Sequence, residues 1–409
     1  MTRVVGLRCR ECGRRFPAAL RSVCDSCWGP LEVEYDYNHI SNLIDRDTIT
    51  GRAPTMWRYF ELLPIEDSTH TVDLGDGGTP LHHCQRLGKE LGLKELYIKN
   101  DTMNPTSSFK DRPASVGVSK CLEFGITTVG CASTGNLAPA VAAHAAKAGL
   151  RCVVLVPHDI EASKIVQTSA YGAQVIRVKG TYDDANRLGI LAAEHFGWGL
   201  ANINVRSFYV EGSKTVAYET CEQLGWEPPD ITIIPVASGG LLSATHRAFK
   251  ELEELGWVDQ RKTRLVGSQP RGCAPIVEAF RKGSEIEPVE EPKTIAKSLA
   301  IGSPASGYEA LDAVKETGGS MDSPSDGETL EAIRLLGGVE GVFAEPAGAI
   351  PLATLMRLRD AGEVDASDRV VLFVTGSGFK APETVLRVVE EPLVTEPTLD
   401  ALRSVVQGG

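Results

Sequence analysis

From residue 95 onward the chain alternates between two textures. Short runs rich in β-branched residues (ELYIKN, TTVGCAS, RCVVLVP, QVIRVKG, ITIIPVAS, RLVGSQP and VVLFVTG) are separated by Ala-, Leu- and Glu-rich stretches such as NLAPAVAAHAAKAG, TYDDANRLGILAAEHFG and GSKTVAYETCEQLG. Alternation at this spacing predicts βαβ units and parallel sheets with helices on both faces. Nearly continuous apolar runs such as VVLFV are what burial on both faces demands. The expected body is therefore α/β, and 409 residues suffice for two or three domains or one large enzyme. Ligands in such sheets bind at the carboxyl ends of the strands. Four loops there combine small residues with a helix start: NPTSSFKDRP, CASTGNLAPA, PVASGGLLSA and VTGSGFKAPE.

The first 35 residues form a unit apart. Cys9 and Cys12, then Cys24 and Cys27, make two CxxC pairs separated by eleven residues. Each pair turns two sulfurs toward one centre, and two such knuckles complete the tetrahedron of a structural zinc ribbon, with no position left open for water. The remaining cysteines (Cys84, Cys121, Cys131, Cys152, Cys221 and Cys273) have no pairing pattern and read as small core residues in a reducing compartment. The segment MTRVVGLRCR lacks an apolar signal core, and no apolar run approaches 18 residues. A cytosolic protein without a membrane span is expected. The formal charge of −12 argues against nucleic acid as the main partner.

Several motifs fail on inspection. Gly376-Ser377-Gly378-Phe379-Lys380-Ala381 matches a dinucleotide pattern, but no βαβ unit follows it. Glu211-Gly212-Ser213-Lys214-Thr215 lacks the earlier glycine of a P-loop. The eight histidines are scattered, and no G-x-S-x-G elbow occurs. Lys110 in SFKDR is different. Alone it reads as a solvated helix-start lysine or as a partly desolvated amine able to form a Schiff base. Its company favours the second, because a hydroxyl and amide loop (Ser133-Thr134-Gly135-Asn136) and a Gly-rich loop (Ala237-Ser238-Gly239-Gly240-Leu241) are what a phosphorylated cofactor needs.

The ordered set N-P-T-x-S-F-K-D-R, A-S-T-G-N, P-V-A-S-G-G-L, A-E-P-A and T-G-x-G-x-K resembles the pyridoxal-phosphate enzymes of the tryptophan-synthase-β fold type. Over essentially the whole chain it is similar to the threonine synthase family in the form with an N-terminal zinc-ribbon-like extension. The resemblance implies fold type II, with two open twisted sheets covered by helices. It implies a ribbon at 1–36, a joining segment at 37–115, a smaller substrate domain at 116–207 and a large cofactor domain at 208–409. Lys110 matches the lysine that holds the cofactor covalently, and Asn136 matches the partner of its ring hydroxyl. Ala237, Ser238, Gly239, Gly240 and Leu241 match the phosphate loop, and Thr375 matches the hydroxyl at the pyridine nitrogen. Ser133, Thr134 and Gly135 match the loop for the substrate carboxylate. A homodimer is implied as well.

Four positions depart from the family pattern: Ser107 and Ser303 stand where Gly and Asn are usual, and Ser377 and Phe379 replace a polar or acidic residue and a leucine. The leaving phosphate of O-phosphohomoserine needs cationic or amide donors, for which Lys164, Asn204 and Arg206 are the candidates. The expected reaction is conversion of O-phosphohomoserine and water to threonine and phosphate. The alternatives are β-replacement on O-phosphoserine or a related amino acid, and a non-catalytic zinc-ribbon binding protein.

Overall fold

The computed structural model describes residues 3–158, 160, 162–259, 263–389 and 391–407, giving only the backbone at 162–164, 183 and 407. All seven strand-like runs form strands. They divide between two sheets.

The larger sheet has six strands in the order Met321–Asp322, Arg264–Ser268, Ile231–Pro235, Arg369–Val374, Glu95–Asn100 and Leu81–His83. Its pairs are parallel except at the edge, where Leu81–His83 runs antiparallel to Glu95–Asn100. The central strands Ile231–Pro235 and Arg369–Val374 are buried almost throughout, as two-sided coverage requires. The smaller sheet is wholly parallel: Gln174–Val178, Arg151–Pro157, Thr128–Ala132 and Gly199–Leu200. The short edge strands have no alternating pattern of their own, and pairing with a neighbour is what makes them strands.

Local chemistry sets the helix limits. Leu137–Ala148 stops at Gly149, whose φ of +67° lets the chain turn left-handed. Tyr182–Phe196 opens on a reciprocal capping box between Thr181 and Asp184. Glu211-Gly212-Ser213-Lys214 forms a buried helical turn, not a phosphate loop. Lys214 there ion-pairs with Glu211 (2.7 Å) and Glu251 (2.9 Å).

A third, three-stranded antiparallel sheet (Arg15–Phe16, Val4–Cys9, Leu31–Tyr35) makes the N-terminal unit. It is docked, not tethered. The Ser207 hydroxyl donates to the carbonyls of Leu31 (2.8 Å) and Arg21 (3.1 Å), Tyr35 donates to Glu211 (2.9 Å), and Arg10 pairs with Asp312 and Glu309. Among the described residues no helix is long and apolar enough to cross a membrane.

Candidate active site

Strand ends deliver the site. Glu95–Asn100 leads through a turn into the loop that carries Lys110, one residue before the helix Asp111–Glu123. The Asp111 carboxylate closes this loop by accepting the Thr106 N–H and hydroxyl, both at 2.7 Å. Ser107, inside the loop, has φ +64°, a left-handed conformation that glycine adopts without cost and other residues do not. The loop is fastened to the end of the neighbouring strand by Phe109 N–H to Thr375 O (2.9 Å) and Ser377 N–H to Ser107 O (3.0 Å).

The Lys110 amine is half-buried, lies 4.5 Å from the Phe109 ring centroid, and has no hydrogen-bond or ion-pair partner among the described residues. Burial, and after it the positive charge of Arg206, pushes this amine down to about 8. Arg206 opens the short helix Arg206–Tyr209 and donates to the Ser306 hydroxyl. Ser306 in turn gives its backbone N–H to Ser238 O at 2.7 Å, which links Arg206 to the Gly-rich loop.

That loop follows Ile231–Pro235 and ends in the helix Gly240–Glu254. Gly239 has φ +96°, and a Cβ there would stand 2.1 Å from Ser306 O, so only glycine fits. The N–H groups of the helix's first turn have no acceptor within the helix and form an anion cradle. Asn136 precedes the helix Leu137–Ala148 and donates to Glu345 Oε1 at 2.6 Å. The chain passes directly beneath: a Cβ on Gly376 would lie 2.2 Å from the same oxygen. Thr375 is buried, and its hydroxyl has no partner among the described residues. Ser133, Thr134 and Gly135 follow Thr128–Ala132, and the end of that strand is braced by the Asn202 amide bonding to both backbone groups of Ala132.

The donor set fits pyridoxal phosphate. It offers an unpartnered amine, the buried and orphaned hydroxyl of Ser108 two residues away, a neutral hydroxyl at Thr375, an oriented amide and a helix start that admits no side chain at Gly239. The four sequence-predicted cysteines also converge. Their sulfurs all lie within 4.8 Å of one another, with Cys9 to Cys27 at 3.4 Å and Cys12 to Cys24 at 3.7 Å. Tetrahedral zinc with Zn–S of about 2.3 Å needs sulfurs ~3.8 Å apart, so these residues fit that ion. The other six cysteines are buried and unpaired.

One expectation changes. Asn204 does not offer its amide to a ligand: Oδ1 accepts Leu200 N–H (2.8 Å) and Nδ2 donates to Trp198 O (2.9 Å), so it closes its own turn. Ser303 is exposed, and the serine that meets Arg206 is Ser306. The side chain of Lys164 lies outside the described residues. Sequence reasoning missed Glu345, although A-E-P-A was among the motifs. It also missed Lys380, a half-buried cation bonded to Gln167 (2.6 Å) that burial pushes downward against the fields of Glu345 and Asp111.

The family model described as "Pyridoxal-phosphate dependent enzyme" matches residues 72–376. The chain belongs to the pyridoxal-phosphate dependent enzymes. Within that family its place is beside the threonine synthases, which are lyases. It is 42% identical over 403 residues to the threonine synthase of Methanocaldococcus jannaschii, covering 98% of this chain and 99% of that protein. The threonine synthase of Methanosarcina acetivorans is 39% identical over 406 residues, 98% of each chain. That of Halalkalibacterium halodurans is 38% identical over 87% of this chain and 99% of its own. Maize serine racemase shares the fold, with a TM-score of 0.63 at 23% identity over 73% of this chain and 88% of that one. So does tomato threonine deaminase isoform 2, with a TM-score of 0.65 at 21% identity over 76% and 83%.

Proposed function

We propose that this enzyme is a threonine synthase that converts O-phospho-L-homoserine and water to L-threonine and phosphate. The observation that carries the reading is similarity to threonine synthases from end to end, ribbon region included. In the net reaction the C–O bond at Cγ breaks and phosphate leaves, a proton is lost from Cβ and one is gained at Cγ, and water's hydroxyl forms a C–O bond at Cβ while its remaining proton goes to the phosphate.

Bound pyridoxal phosphate supplies an electron sink that acidifies the carbons of an amino acid held through its amine. The chain's residues do the rest. Lys110 is the covalent anchor, and its amine near 8 is suited to taking and returning protons close to neutral pH. Asn136, steadied by Glu345, orients the cofactor's ring hydroxyl. Thr375 would meet the ring nitrogen with a neutral hydroxyl, which does not enforce its protonation and would suit elimination and addition. Ala237 to Leu241 receive the cofactor phosphate through backbone N–H groups, and Ser133 to Gly135 take the substrate carboxylate. Arg206 receives the substrate phosphate in a charge-assisted contact worth roughly 1.5–3 kcal/mol.

The four cysteines hold structural zinc, and the protein works as a cytoplasmic homodimer. Residues 37–115, 116–207 and 208–409 act as joining segment, substrate domain and cofactor domain, with the ribbon at 1–36. The four-stranded sheet lying between residues 128 and 200 supports that division. The deciding assay compares phosphate release and products with O-phosphohomoserine against O-phosphoserine plus sulfite. Threonine from the first substrate is expected. Turnover of O-phosphoserine alone would move the enzyme to β-replacement chemistry.

A further inference from the structure

The alanine-rich helix Leu137–Ala148 buries a histidine in the middle of its apolar face. His144 is fully buried, about two turns beyond Asn136. Its Nδ1 lies 2.8 Å from the Ala140 carbonyl, and its Nε2 lies 2.9 Å from both carboxylate oxygens of Asp76. A carbonyl only accepts, so Nδ1 carries a proton, and a carboxylate facing Nε2 favours a second proton there. The arrangement favours the imidazolium form of His144. Asp76 and Asp111 are also fully buried, and one ligand atom from each of the three residues lies within 4.8 Å of the others. Such a trio invites a metal reading, but in its imidazolium form His144 has no lone pair for one.

The cluster joins two parts of the site that the chain makes separately. Asp111 is the residue whose carboxylate closes the Lys110 loop through Thr106, across the left-handed Ser107. His144 belongs to the helix that begins at Asn136. Without a cation between them, Asp76 and Asp111 would be two buried like charges, the costly case. Burial first, and the nearby Asp76 charge, push Asp111 up to about 6, with His144 opposing. Burial lowers His144, but Asp76, Asp111 and the Ala140 carbonyl together raise it above the ordinary imidazole value.

We infer that His144 is a positioning residue for Lys110: its buried imidazolium keeps the Asp111 carboxylate available to Thr106 and so fixes the Lys110 loop against the helix that starts at Asn136. This rests on the assignment of Lys110 and Asn136 to the cofactor.

The test uses holoenzyme carrying His144→Gln, Asp111→Asn or both, followed by peptide-resolved hydrogen exchange, the absorbance band of bound cofactor, and the split of kcat from KM. Each single variant is expected to lower kcat at least tenfold with KM changed less than threefold. Exchange should accelerate in peptides spanning 104–111 while the six-stranded sheet stays protected. The double variant should be no worse than the worse single one, because both act through one contact. Unchanged exchange at 104–111, exchange that rises evenly along the chain, or additive losses in kcat would each overturn the inference. Thr106→Val, which deletes one bond to Asp111 and leaves the buried charges alone, reads the same loop if the charge variants do not fold. Persistence of the cofactor band in Lys110→Ala would instead sink the cofactor assignment, and the exchange result would still stand by itself.

Discussion

The depressed Lys110 amine gives the sharpest quantitative test. A free lysine titrates near 10.4, and here burial and then Arg206 bring the amine to about 8. Burial is the larger cause, so replacing the guanidinium with a neutral amide in Arg206→Gln returns less than half of that interval, about one pH unit at most. An amine titrating near 8 is ~9% neutral at pH 7, and one near 9 is only ~1% neutral. Competitive acylation of cofactor-free protein, with the Lys110 peptide quantified by mass spectrometry, reads that neutral fraction directly. Arg206→Gln is expected to slow labelling by three- to tenfold at pH 7 and by less than twofold at pH 10. Arg206→Lys, which keeps the charge, should stay near wild type. If Arg206→Gln labels at the wild-type rate at pH 7, Arg206 contributes nothing to the amine, and the electrostatic link between the two residues is refuted.

Three further outcomes follow from particular contacts. Ser107→Gly removes a left-handed strain of roughly 1–2 kcal/mol but adds unfolded-state entropy, for a net gain of about 0.5–1 kcal/mol in chemical denaturation. Ser107→Val should lose stability instead, and a loss for the glycine variant would mean the loop does not hold that conformation. Gly239→Ala puts a methyl 2.1 Å from the Ser306 carbonyl at φ +96°, so cofactor affinity should fall at least tenfold by equilibrium dialysis. Metal analysis should find about one zinc per chain, lost in Cys24→Ser. Chelation should raise KM for the phosphorylated substrate more than it lowers kcat, since Ser207, held by the ribbon, adjoins Arg206; an unchanged KM would separate ribbon from pocket.

What could be read from the sequence was whatever lies close along it. The strand ELYIKN is a strand from Glu95 to Asn100, and RCVVLVP is one from Arg151 to Pro157, because apolar texture and length are local properties. The CxxC pairs and the Lys110 loop are equally local. The oddity of Ser107 was also visible, though its meaning needed a φ angle. Illegible were pairings over long separations. Glu345 reaches Asn136 across 209 positions, and Ser306 reaches Arg206 across 100. Nothing near Asn204 in the sequence reveals that its amide is spent on its own turn. His144, likewise, looks like one polar residue in an alanine helix until Asp76 is brought to it from 68 positions away.

The docked ribbon also has a consequence for the order in which the molecule can be completed. Cys9 and Cys27 are 18 residues apart, so a metal can close that unit soon after it is made. Its docking partners come much later: Ser207 lies 176 positions beyond Leu31, and Asp312 lies 302 beyond Arg10. Contacts over such separations carry the full cost of closing a long loop before they return any stability. The ribbon, made before its docking partners, therefore waits for them, and its docking joins the stretch around Arg206 to the one around Ser306. Assembly ends where substrate binding begins.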